Sequence, residues 1–178
     1  MFLAIDRTGG QPVDADFENK LRRFMEDFRL TGHDLKITPP RFVPLDIALM
    51  ISVAPGYFHA TVQRALLEIF STGDLPDGRR GFFHPDNYTF GQPVYLSQVV
   101  ATAMQVPGVA AVLDLGTGSK LSFQTLRTRT RFQRWGHQPR GELAAGVIET
   151  APTEIVRLDN DPNQPENGRI RFFMEGGL

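Results

Sequence analysis

The chain has 178 residues, 19 Lys and Arg against 20 Asp and Glu for a formal net charge of −1, 41% apolar residues and no cysteine. This length can bury the core of one ordinary domain or of two small halves, and the composition excludes a disordered chain. Balanced charge excludes a whole-protein field for nucleic acid or an anionic membrane, and the missing cysteine excludes disulfides, thiolate metal ligands and a cysteine nucleophile.

The N-terminal MFLAIDRTGG carries no basic segment ahead of its apolar run, so no signal peptide is expected. The longest apolar stretch, from Ile47 to Ala54, is far short of the roughly 20 residues of a membrane helix. Phe2–Ile5 reads as a buried strand followed by a turn-rich loop. Asp14 is placed to cap a helix in which Phe17, Leu21, Phe24, Met25 and Phe28 form an apolar stripe. Glu18, Lys20, Arg22, Arg23, Glu26 and Asp27 fill its other face, and Gly32 supplies the stop.

Leu35 and Ile37 then alternate ahead of two prolines, as in a short strand. Arg41–Ala54 predicts a longer strand, with Leu45, Ile47, Leu49, Ile51 and Val53 on one side and Asp46, Ala48, Met50 and Ser52 on the other. Pro44 is expected at a strand beginning or a sheet edge, because it cannot donate to a ladder. Pro55 and Gly56 are expected to open a second helix, with Phe58, Val62, Leu66 and Ile69 on one face and Gly73 closing it. The Gly-, Pro-, Asp- and Asn-rich stretch from Asp74 to about Pro93 reads as a long loop, a length that usually carries function or lies under a partner.

VYLSQVVATAMQ predicts a third helix with Ser97 near its start, and PGVAAVLDL a turn into a strand. Leu121, Phe123, Thr125, Arg127 and Arg129 alternate along one face of a long strand that runs to Trp135. Two further strands, within AGVIETAPTEIVRLDND and GRIRFFMEG, are joined by the turn segment NDPNQPENG. The order predicts an α+β fold: a mixed sheet with about three helices in βαβ-type halves, then a β-rich C-terminal part. Residues 1–135 form the α+β region in this reading, with halves of about 1–40 and 41–135, and residues 136–178 a β-rich extension packed on it.

VLDLGTGSK, Val112 to Lys120, resembles the strand and glycine turn that cradle a nucleotide cofactor such as S-adenosylmethionine. Three requirements of that site fail. Lys120 stands where a further glycine belongs, no Asp or Glu lies between Lys120 and Arg140 to hold a ribose, and the remainder reads as strands. Asp114–Ser119 is therefore expected to be a hairpin tip.

None of His33, His59, His84 and His137 has a second histidine within four residues, so no zinc site is expected. His84 and Asp86 could form an acid–base pair, but a capped turn beside Pro85 is the favoured reading. No Gly-x-Ser-x-Gly elbow anchors a hydrolase, and the spacing in DNDPNQPENG, with Asp159, Asp161 and Glu166, does not match an EF-hand. Arg127, Arg129, Arg131 and Arg134, with Phe132 and Trp135, could face phosphate, although a solvated strand or a protein interface fits as well.

Long segments of the chain resemble a known family. FRLTGHDLKITPPRFVPLDIALMISVAPGYFHATVQRALLEIF, GRRGFFHPDNYTFGQPVYLSQVVATAMQVPGVAAV, RFQRWG and EIVRLDNDPNQPENGRIRF are similar to the C-terminal region of baseplate assembly proteins. These belong with the baseplate J-like family of contractile phage tails and related injection systems. LDLGTGSKLSFQTLRTRT lies where the family's strand runs quickly to RFQRWG, so the 114–130 region reads as an insertion within a hairpin.

The resemblance implies a structural role without catalysis, cofactor, metal or small-molecule substrate. The implied partners are other baseplate and tail proteins and copies of itself, with no membrane and with nucleic acid only as an alternative. It implies a bacterial cytoplasmic location during assembly, then a place in the baseplate of the particle. The aromatic loop GFFHPDNYTFGQPVY either tucks onto the chain's own core or docks a partner. The candidate interface residues are Phe83, His84, Tyr88, Phe90, Tyr95, Arg134 and Trp135.

Overall fold

A computed structural model describes residues 2–28, 34–113 and 130–178. The expected Gly32 stop, the Asp114–Ser119 hairpin tip and the upstream arginines Arg127 and Arg129 lie outside the described residues. The fold is α+β with a mixed sheet.

The chain begins with a small parallel unit. Strands β1 (Phe2–Ala4) and β2 (Lys36–Thr38) pair in parallel, and helix α1 (Ala15–Glu26) connects them. Asp14 caps α1 as its spacing predicts, its carboxylate accepting the Phe17 N–H at 2.8 Å. The unit is tied to the rest of the molecule by the Gly9 N–H, which donates to Asp86 Oδ1 at 2.6 Å.

β3 (Arg41–Val53) is the axis of the fold. Along one edge it pairs in antiparallel fashion first with β6 (Arg131–Arg134) and then with β5 (Val109–Leu113). It also pairs in parallel with β8 (Glu154–Arg157) over its first four residues and with β9 (Arg169–Gly176) from Asp46 to Val53. Residues 136–178 supply two strands, β8 and β9, to the central sheet. A thirteen-residue strand has edge enough for four partners, and eight of its residues are covered by β9 alone.

Pro44 occupies this central strand, and the ladder is arranged around its missing donor. The Pro44 carbonyl accepts the Trp135 N–H at 2.8 Å, and β6 ends one residue before Trp135, where a return bond from Pro44 would be needed. Gly168 is required where the β8–β9 connection crosses close to β3. Its φ is +97°, and a Cβ there would sit 2.5 Å from the Arg157 carbonyl oxygen and 3.0 Å from the Leu45 nitrogen.

One face of β3 carries Leu45, Ile47, Leu49, Ile51 and Val53 into the main core, where Phe132, Ile170 and Phe172 join them. Helix α2 (His59–Ile69) contributes Val62 and Leu66, and helix α3 (Leu96–Met104) contributes Val99 and Ala103. α2 starts four residues after Pro55. Gly56 takes φ +90° in a turn closed by Tyr57 N–H to the Ala54 carbonyl, a conformation that cannot open a helix, and Phe58 is the N-cap. The opposite face of β3 is buried too, at Asp46, Ala48 and Met50.

The smaller elements follow. β4 (Val94–Tyr95) pairs with β7 (Val147–Ile148), and the one-turn helix α4 (Glu142–Ala145) precedes β7. Apolar spacing gives no signal for α4; glycines with positive φ, Gly141 and Gly146, bound it on both sides.

Candidate protein-contact site

The aromatic loop folds inward over most of its length. Phe83 and Tyr88 are 4% and 8% exposed and belong to the main core, stacked on one another at 6.0 Å. Phe82 meets Phe83 edge-on at 4.9 Å and Phe70 at 5.3 Å, and Phe70 in turn lies 5.7 Å from Phe172 of β9. Burial pushes the Tyr88 phenol well above its ordinary value. Phe90 is half-buried against the same core, whereas Tyr95, at the start of α3, is exposed.

His84 and Asp86 do separate structural jobs. The His84 Nδ1 accepts the Asp86 N–H at 3.1 Å and so caps the 3₁₀ turn Pro85–Asn87. The Asp86 carboxylate holds the Gly9 amide and pairs with Arg80 at 3.2 Å. Next to them lies a cavity of about 360 Å³ bordered by Asp6, His84, Arg157 and Asp159. On its border Arg157 Nε bonds Asp159 at 2.9 Å, while burial, and after it repulsion from Asp86, raises the Asp6 carboxyl. In the turn after β8, Asp161 accepts the Asn163 N–H at 2.8 Å, the polar-turn geometry of an Asx motif.

Arg134 is also committed internally. It pairs with Glu154 at 3.3 Å and donates to the Glu149 carbonyl. Glu154 is buried, and the Ala151 N–H, with Arg134 and Arg41 beside it, holds its carboxyl below the usual range.

The second face of the sheet gathers a charged cluster that no short-range motif announces. The register places Asp46 opposite Gln133 on β6 and Arg169 on β9, and Ala48 opposite Arg131 and Arg171. A small residue at Ala48 leaves room for both arginines to lie back toward Asp46. Arg131 Nη1 bonds Asp46 Oδ2 at 3.0 Å, Arg169 Nε bonds Oδ1 at 2.9 Å, and Arg171 Nη2 stands 4.0 Å from Oδ1. Burial raises the Asp46 carboxyl, but the bonds and charges of Arg169 and Arg131 outweigh it, and the net direction is down. The Arg169 guanidinium also lies 4.1 Å over the Trp135 ring, a cation–π contact.

A second surface lies on α1. Phe17, Leu21 and Met25 are half-buried, while Phe24 and Phe28 are 63% and 70% exposed, with their rings 5.3 Å apart. Phe24 in the last turn of α1 and Phe28 just past its Asp27 C-cap form a compact apolar patch at the end of a helix whose other faces are charged.

Of the residues singled out from sequence, Tyr95 is exposed, and His84, Phe90, Arg134 and Trp135 are half-buried. Phe83 and Tyr88 are held in the core. Sequence reading missed Asp46, Arg169 and Arg171, whose only signal is that each alternates with apolar neighbours on its strand. It also assigned Phe24 and Phe28 to an apolar stripe without identifying them as surface residues. No protein-family model matches the chain, and no curated protein matches it in sequence.

Proposed function

We propose that the chain is a non-catalytic building block of the baseplate of a contractile phage tail or related injection system, acting through protein–protein contacts. The observation that carries this reading is the pair of exposed rings at the C-terminal end of α1, Phe24 in its last turn and Phe28 just past its Asp27 C-cap, set against a charged helix surface. Aromatic residues supply large contact area at little rotamer cost and are enriched where interfaces form. The long segments resembling the baseplate J-like family support the same reading. In it the aromatic loop has a structural part: Phe82, Phe83 and Tyr88 fix the surface from inside instead of forming it.

Immunogold electron microscopy of purified contractile particles, with an antibody against this chain, tests the assignment. Label concentrated at the baseplate end is the expected result. Label absent from intact particles, with the chain recovered only in free soluble form, would sink it.

A further inference from the structure

We propose that the sheet face bearing Arg131, Arg169, Arg171 and Trp135 docks a carboxylate-rich extended segment of a partner protein. The partner being a protein rests on the assembly role above; the chemistry comes from the face itself.

Among the described residues, three guanidinium groups meet one carboxylate here, an excess of two positive charges. The shortest bonds to Asp46 use both of its oxygens, Oδ1 for Arg169 and Oδ2 for Arg131. Arg171 is left 4.0 Å from Oδ1, beyond hydrogen-bond reach, and its side chain is 43% exposed. Partial burial and the neighbouring charges of Arg169 and Arg131 depress its guanidinium, although it stays charged. An incoming carboxylate would relieve this crowding and could accept a bidentate pair of bonds from the guanidinium fork. Glu175 stands four residues further along β9, about 13 Å in an extended strand, too far to serve that role.

The spacing favours an extended partner. Arg169 and Arg171 project from the same face of β9 two residues apart, about 6.6 Å, which matches acidic residues at alternate positions of another extended chain. Asp46 and Trp135 already hold Arg169 in place, so part of the ordering cost is met before the partner arrives. Nucleic acid fits less well. The Trp135 ring, the natural platform for a base, is already covered by the Arg169 guanidinium at 4.1 Å.

Trp135 is the chain's single tryptophan and reports on this face directly. Its fluorescence is followed while the full chain is titrated with a decaglutamate peptide at low ionic strength. A saturable change is expected, suppressed by added salt. Arg171→Gln should weaken the affinity about tenfold, and Arg79→Gln, which removes an exposed arginine paired with Asp77, should leave it unchanged. No saturable response, equal affinity in the Arg171→Gln chain, or tighter binding of a decathymidylate of equal length would each overturn the proposal. Particle labelling reads the assembly role separately: baseplate label with a failed titration removes only this docking chemistry. A successful titration without particle label removes only the baseplate assignment.

Discussion

Asp46 shows how one carboxylate organises a sheet face. It is 2% exposed, and the two arginines bonded to it come from strands 85 and 123 residues away in sequence. Removing the charge leaves the guanidinium groups facing each other. Asp46→Asn is expected to destabilise the fold by about 2 kcal/mol, below the usual range for a broken buried pair because the arginine heads reach solvent. Urea unfolding at neutral pH measures this. The carboxyl's folded-state value is depressed, so its stabilisation is present above the unfolded value of about 3.9 and is lost as pH falls through the folded value. The stability gap between the wild type and Asp46→Asn should therefore hold from pH 7 to about 5 and close in stronger acid. A gap that persists undiminished at pH 2 would show that the charge is not its source.

At the scale of elements, α1 and β3 contrast in what periodicity can say. The apolar stripe of α1 and its Asp14 cap correctly locate the helix, because cap and spacing are local properties of the chain. They do not say what covers the stripe, and Phe24 and Phe28 face outward. Exchanging both for serine is expected to change stability by less than about 0.5 kcal/mol, since little area is buried there, while removing the chain from assembled particles. Thermal unfolding and particle immunoblotting read the two effects separately. Loss of folding would show that the rings belong to the core; unchanged incorporation would show that they are not a contact. In β3, alternation finds the core face from Leu45 to Val53 but does not say what becomes of the other side. Asp46, Ala48 and Met50 are buried there, and the long side chains of Arg131 and Arg169 reach back over Asp46.

For the whole molecule, the decisive fact is that β9 lies beside β3. Eight residue pairs join them, and Ile170 and Phe172 enter the same core as Leu49 and Phe70. A chain ending at Arg157 is expected to lose its cooperative unfolding transition, because β3 would expose that ladder and the core would lose both side chains. Circular dichroism with urea titration tests this. A cooperative transition retained in the shortened chain would establish residues 158–178 as a dispensable extension.

The sequence by itself determined most local structure: the cap and start of α1, the length of β3, the helices α2 and α3, the long loop and the α+β class. Each rests on spacing, capping or turn chemistry between near neighbours. Only the tertiary structure decided that the aromatic loop turns Phe83 and Tyr88 inward, that Pro44 can sit in the central strand because β6 stops beside it, and that the last strand is central to the sheet. It alone brought Asp46, Arg131, Arg169 and Arg171 together. Pairing between strands more than 80 residues apart depends on which surfaces fit once every element has formed, and no local pattern records that choice.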